Sequence, residues 1–336
     1  MLTDMPPLQF AQTNGIRMAY YEAGPKSALP PVVLCHGWPE IAYSWRHQIQ
    51  ALAAAGIRVI APDQRGYGAT ERPPAVEAYD LDQLTADLVG LLDHLRIDRA
   101  VCVGHDWGGF VVRQMPLRHR ARVAGVVGLN TPHLPRAPVD PIQILRKRFG
   151  DRMYSVQFQA PGREVDAIFD SHVEQTFDCV MRKPLPRPPA AATSPAAGIG
   201  AAPTLNLAFP QIVAAYDAAT DPRTPILSAA ERQVFVDSFR RSGFSGGINW
   251  TRNMTRNWQR SAELDPVVRV PALMIMAEND AVLPPSAADG MERLVPDLEK
   301  FIVRDSGHWT QQEQPQQVGD KLIEWHRRRF GAPSLI

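Results

Sequence analysis

The sequence predicts an α/β protein, a doubly wound and mostly parallel β-sheet with a helical segment inserted after the sixth strand. Three observations predict it. Short continuous apolar runs at 31–35, 58–61, 100–103 and 123–129 have the character of strands buried on both faces, as parallel strands covered by helices are. Stretches of helical spacing alternate with them, through Trp45, Ile49 and Leu52 after the first run and Leu84, Leu88, Leu91, Leu92 and Leu95 after the second. The alternation stops after residue 129 and resumes near residue 271, so one sheet is interrupted and then completed.

Residues 7–21 alternate around Asn14-Gly15 and form an opening hairpin. The run 31–35 ends in His36-Gly-Trp-Pro-Glu40, and the run 58–61 in Pro62-Asp-Gln-Arg-Gly-Tyr-Gly68. A helix over 81–95 leads into the strand at 100–103, and Gly104-His-Asp-Trp-Gly108 then turns sharply into a helix marked by Phe110, Val111, Val112 and Met115. The strand at 123–129 closes with Asn130-Thr-Pro-His133. Beyond it, 162–179 and 229–239 have helical spacing, while 183–203 is rich in Pro, Ala and Gly and reads as an exposed, mobile loop. Strands return at 271–277 and 298–303, and a helix over 318–330 ends the fold. The expected division is a core of residues 1–132 and 258–336 and a helical cap, 133–257, carrying the loop at about 183–203.

With 45% hydrophobic residues in 336, the chain can bury a large core. Its 36 Lys and Arg balance 35 Asp and Glu, which excludes a global field that would recruit nucleic acid or an anionic membrane. A small, neutral, apolar substrate is expected. Cys35 and Cys102 lie in apolar strands, Cys179 stands apart, and no C-x-x-C pair occurs, so neither disulfide, metal site nor cofactor is expected. The N-terminus lacks a signal-type pattern and no apolar run reaches spanning length, which points to a soluble cytoplasmic protein without membrane insertion; a homodimer is compatible with the sequence.

The chemistry centres on the turn after 100–103. Glycines flanking a reactive side chain on a tight strand-to-helix turn make a nucleophile elbow, and here Asp106 stands where such turns usually carry Ser. A carboxylate displaces leaving groups at saturated carbon and forms an alkyl-enzyme ester, so the elbow predicts cleavage of a carbon–heteroatom bond. Alone, Asp106 could equally cap the following helix. Two later strands also end on reactive groups, in Ala277-Glu-Asn-Asp280 and Asp305-Ser-Gly-His308. Sites in open α/β sheets form at the carboxyl ends of strands, so Asp106, Asp280 and His308 are expected to converge as nucleophile, acid and base.

The chain resembles the epoxide hydrolases of the α/β-hydrolase fold, especially the soluble epoxide hydrolase branch, over nearly its whole length. The resemblance rests on His36-Gly-Trp-Pro-Glu40, Asp63-Gln-Arg-Gly-Tyr-Gly68, Gly104-His-Asp-Trp-Gly-Gly109, Phe158-Gln-Ala-Pro-Gly162, Arg252-Asn-Met-Thr-Arg-Asn-Trp258 and Gly307-His-Trp-Thr-Gln-Gln-Glu-Gln-Pro315. It implies conversion of an epoxide and water to a vicinal diol. Asp106 would attack a ring carbon, and His308, oriented by Asp280, would activate the water that hydrolyses the ester. The backbone N–H groups of Trp38 and Trp107 would form the oxyanion hole and their indoles would line the pocket, with a cis bond at Pro39. Of the two cap tyrosines that the family uses to protonate the departing oxygen, the first corresponds to Tyr154 and the second position holds Thr251. Thr251 is expected in the substrate pocket without a role in proton donation, and Tyr216 is another cap residue that could fill the gap. The missing tyrosine gives weight to haloalkane dehalogenase, or another Asp-nucleophile hydrolase, as the alternative. Tyr154, the 158–162 motif and Trp38 oppose it. A non-catalytic binding protein on the same scaffold is the rival of another class. Met153, Phe169, Phe177, Met254 and Trp258 are expected in the cap core, and Arg252 and Arg256 as structural or solvated.

Overall fold

The computed structural model describes residues 4–185 and 207–331. Most of the Pro/Ala-rich stretch expected as a loop at about 183–203 therefore lies outside the described residues. Eight strands form one sheet: β1 (Leu8–Thr13), β2 (Ile16–Ala23), β3 (Val32–Cys35), β4 (Val59–Pro62), β5 (Ala100–His105), β6 (Val123–Leu129), β7 (Ala272–Ala277) and β8 (Leu298–Val303). Their order is β1-β2-β4-β3-β5-β6-β7-β8. The predicted hairpin is present, with Asn14 and Gly15 at φ 43° and 77°, the positive values a two-residue hairpin turn requires. Pairing is antiparallel from β1 through β4 and parallel beyond.

Alternate residues of each parallel strand feed two apolar layers. On one face Val33, Cys35, Cys102 and Val126 meet α2 (Leu81–His94) and α3 (Trp107–Arg118), whose Leu84, Leu88, Val111 and Met115 point inward. On the other, Val32, Leu34, Val101 and Val127 meet α1 (Arg46–Ala54) and α12 (Pro315–Phe330) through Ile49, Leu52, Leu322 and Trp325. Each such buried side chain contributes roughly 1.5–3 kcal/mol relative to exposure, so the register that places these rows inward is strongly enforced. The order turns at β3, which lies between β4 and β5, and the loops leaving the carboxyl ends of β3 and β5 diverge to open a crevice.

Between β6 and β7 lie α4 (Pro141–Phe149), α5 (Tyr154–Gln157), α6 (Glu164–Ser171), α7 (Val173–Val180), α8 (Phe209–Ala214), α9 (Ala229–Ser242), α10 (Ser245–Arg252) and α11 (Met254–Arg260). The stretch expected as helical over 162–179 is two helices. Ser171 Oγ and His172 Nδ1 engage the carbonyls of Ala167 and Ile168, taking over acceptors that a continuing backbone would use, and the chain breaks at His172. Helix α9 begins in a capping box made by Ser228 and Glu231. Phe169, Phe177, Phe235, Phe239 and Phe244 pack with ring centroids 4.6–6.3 Å apart. Met153 is buried, but Met254 and Trp258, also expected in the cap core, are only half-buried. Helix α11 faces outward, and Trp258 donates through Nε1 to the Ala137 carbonyl 2.8 Å away under the Arg136 guanidinium.

The insertion meets the sheet loops at a contact of two glycines. A Cβ on Gly246 would lie 2.3 Å from the Gly66 carbonyl oxygen, so only glycine permits α10 to approach so closely. Trp250 Nε1 donates to the Arg65 carbonyl beside it, at 3.1 Å. Arg252 and Arg256 are ion-paired, with Asp166 and Asp80.

Candidate active site

Three strand ends converge. β5 delivers Asp106 at φ 50°, ψ −120°, a left-handed conformation that a non-glycine residue keeps only where its surroundings enforce it. The flanking glycines make that turn feasible: a Cβ on Gly104 would lie 2.2 Å from the Gly108 carbonyl oxygen, and one on Gly108 2.2 Å from that of Cys35. Thr131 Oγ1 holds the elbow from beneath, donating to the Asp106 carbonyl at 2.7 Å. The Asp106 side chain makes no hydrogen bond that caps α3. It accepts instead from the Trp38 N–H, 2.9 Å from Oδ1, in the loop after β3. The Trp38–Pro39 bond is cis.

His308, in the loop after β8, places Nδ1 3.0 Å from Asp280 Oδ2 and Nε2 3.6 Å from Asp106 Oδ2. Asp280 can only accept while ionised, so Nδ1 carries the proton shared with it. Burial works to raise the Asp280 pKa. The His308 charge and the N–H groups of Leu283 and Val282 outweigh it, holding the carboxyl at about 2. At His308 burial works downward, and Asp280 together with Asp106 outweighs it, lifting the imidazole well above its usual value.

Above the elbow is a cavity of about 200 Å³, lined by Asp106, His308, Trp38, Trp107 and Tyr154 and by a flank that includes Val180, Arg182 and Arg223. Tyr154 stands on the insertion with its ring parallel to the Trp38 indole, centroids 6.4 Å apart. Burial, and then the Asp106 charge, push its phenol up to about 12. Its turn is fastened to α10: Gln159 donates to the carbonyls of Ser155 and Thr251 at 3.0 Å each, and Arg252 Nε to that of Phe158 at 3.0 Å. A carboxylate, a His–Asp pair and a phenol thus face one small space.

The model of the α/β-hydrolase fold family matches residues 30–315. Epoxide hydrolase A of Mycobacterium tuberculosis is 42% identical over 327 residues, which cover 95% of this chain and 97% of that protein. The chain belongs to the epoxide hydrolases of the α/β-hydrolase fold. Bifunctional epoxide hydrolase 2 of Rattus norvegicus is 38% identical across 96% of this chain, which spans 55% of that longer protein. The crystal structure of Epoxide Hydrolase A from Mycobacterium thermoresistibile superimposes with a TM-score of 0.81 at 38% identity, covering 96% of this chain and 98% of that one.

In this family member Asp106, Asp280, His308, Tyr154, Trp38 and Trp107 come together around the cavity, whereas Thr251 does not line it. Thr251 is buried on α10, outside the lining, and its carbonyl accepts from Gln159. Tyr216 does not fill the gap, because its hydroxyl donates to Asp221 Oδ2 at 2.7 Å, with the Asp178 carbonyl also within reach at 2.9 Å. Sequence reasoning missed Asn130, which donates to Asp280 Oδ2 at 2.6 Å and to the His308 carbonyl at 3.0 Å and accepts from Thr310 Oγ1. Its place at the end of a buried strand, like those of the triad, was the available signal. Also missed was Glu40, fully buried, which accepts from the Gly37 N–H and from Gln311 and Gln312 and pairs with His105 at 2.7 Å. His105 in turn meets the His308 carbonyl at 2.7 Å. Among the described residues no cluster suited to a metal ion is found, and no helix is long and apolar enough to cross a membrane.

Proposed function

We propose that this chain adds water to epoxides through an ester on Asp106, with the segment 133–257 acting as a cap that brings Tyr154 to the ring. Asp106 attacks a ring carbon, the C–O bond breaks, and the departing oxygen takes the Tyr154 proton. The phenolate is reprotonated from the imidazolium of His308 through solvent, leaving His308 neutral. Esterification also removes the Asp106 charge that favours the imidazolium, so the base is released at the step that needs it. Neutral His308 then takes a proton from water as its oxygen adds to the ester carbonyl. The oxyanion is received by the Trp38 N–H, with the Trp107 N–H as the second donor. Collapse frees the diol and the Asp106 carboxylate and restores the imidazolium.

The observation that carries this reading is a carboxylate, not a hydroxyl, on the elbow opposite a cavity phenol. A phenol suits alkoxide departure; halide departure needs no acid, which disfavours the dehalogenase alternative. Single turnover of styrene oxide in ¹⁸O-water, followed by mass spectrometry of the Asp106 peptide, tests it. Label in that carboxylate and diol without the label are expected. Unlabelled Asp106, or bromide release from a bromoalkane in place of diol formation, would sink the proposal. The three free, buried thiols support a cytoplasmic location.

A further inference from the structure

We propose that Glu313 is a positioning residue for the ester-hydrolysis step: its one carboxylate takes the backbone N–H groups on both sides of His308 and so fixes where the imidazole meets the water. The inference rests on the epoxide hydrolase reading and deepens its second half. It is separate from the Asp280 and Asn130 contacts already described, which act on the ring and on the carbonyl of His308.

Residues 306–309 belong to no helix or strand, so no ladder of backbone bonds holds the base in place. The single helical turn that follows, Thr310–Glu313, brings Glu313 back to the loop. Glu313 Oε2 accepts from the Gly307 N–H at 2.9 Å, and Oε1 from the Trp309 N–H at 3.0 Å. The Trp309 bond alone would be an ordinary device of a helix start, where a Glu in the first turn reaches back to the N-cap N–H. The Gly307 bond is no part of that device. It lies two residues earlier, and with it the carboxylate spans the residue between, which is His308.

The Glu313 carboxyl is buried and, among the described residues, has no Lys or Arg partner. Burial, joined by the Asp280 charge, raises its pKa above the usual glutamate value, against the two N–H groups and the His308 charge. Only the ionised form offers both oxygens as acceptors; an amide at this position sets its own donor against one of the two N–H groups. The tolerance is small, because His308 Nδ1 stands 3.0 Å from Asp280 and Nε2 3.6 Å from Asp106. A shift of about 1 Å in such an arrangement costs roughly 100-fold. Alkylation uses Asp106 on the elbow and Tyr154 on α5, neither of which Glu313 bonds, so the loss falls on hydrolysis.

The test compares wild type with Glu313→Gln, which keeps the length and removes the charge, and with Glu313→Asp, which keeps the charge and withdraws the carboxylate by about 1.5 Å. Single turnover of styrene oxide gives the alkylation and hydrolysis rates of each, the latter read on its alkaline plateau. The ratio of hydrolysis to alkylation is expected to fall at least ~10-fold in both variants, with the ester accumulating as an intact-mass increase of one epoxide. Only folded molecules contribute to that ratio, so a partly folded preparation does not distort it. Removing the charge by itself eases proton loss from the imidazolium and leaves the plateau unslowed, so a slow plateau reports position. A ratio within about 3-fold of wild type in either variant that folds would overturn the proposal. So would an equal fall in both rates, the mark of a purely structural role, or a defect in Gln that Asp fully rescues, the mark of charge alone. Absence of any ester in wild type would instead overturn the epoxide hydrolase reading beneath it.

Discussion

Replacing Tyr154 by Phe removes one hydroxyl and leaves the ring parallel to Trp38 in place. Its consequence for catalysis can be worked out from what surrounds it. Thr251 lies off the cavity, Tyr216 is engaged with Asp221, and Tyr67 is buried in the core outside the lining, so no other phenol can reach the departing oxygen. The full value of one donor to a developing charge, ~3 kcal/mol, should therefore be lost, which is roughly 10²-fold in the alkylation rate. Ester hydrolysis, which uses His308 and the Trp38 N–H, should be spared. Folding stability should change by less than ~1 kcal/mol, the usual net worth of one hydrogen bond. Stopped-flow tryptophan fluorescence under single-turnover conditions separates the two steps, because Trp38 and Trp107 border the cavity where the ester forms. With the phenol at about 12, wild-type alkylation should lose no acid between neutral pH and pH ~10. An alkylation rate in the Phe variant within about 3-fold of wild type would refute the assignment of the acid.

His308→Asn should let the ester form and then persist, detectable as an intact-mass increase equal to one epoxide; rapid regeneration of free protein would contradict the base assignment. Asn130→Ala removes a donor from each of Asp280 and His308, and should cost roughly 2 kcal/mol of stability and slow ester hydrolysis more than alkylation, read by denaturant melts and the same fluorescence phases. The acid limb of stability follows from Asp280: its folded value near 2 lies below the unfolded ~3.9, so its contribution is complete above ~4 and is lost as pH falls toward 2. His308 works in the opposite sense, contributing fully below ~6.5 and losing that contribution as pH rises through its raised folded value, so the Tm gap between wild type and His308→Gln should narrow on the alkaline side. Gly108→Ala would drive a Cβ to 2.2 Å from the Cys35 carbonyl oxygen and should yield little folded protein on expression.

The elements that could be read from the sequence share one property, a local pattern that solvent imposes. β3, β5 and β6 are short apolar runs because helices cover both their faces, and Asp106, Asp280 and His308 stand out as polar residues just beyond such runs. Asn130 shared that position at a strand end, but its role, like those of Glu40 and His105, depends on partners far along the chain, up to 272 residues away for Gln312 on Glu40. The short helices of the insertion, α5 and α8 among them, hold too few turns for periodicity to register. The break at His172 came from side chains competing for carbonyls, which an apolar pattern does not report. Thr251 was assigned to the pocket by its place in a motif; with no phenol to extend, that position closes on the packing of α10 and leaves Tyr154 unaccompanied.

The meeting of Gly66 and Gly246 has a practical corollary for redesign. With no side chain interposed there, the half of the lid that carries Tyr154 is pinned backbone to backbone and has no slack for repositioning by substitution. Substrate scope must then be varied at the lining residues Val180, Arg182 and Pro184, none of which lies on α5 or α10, so that the wall can be enlarged, narrowed or recharged there without displacing Tyr154.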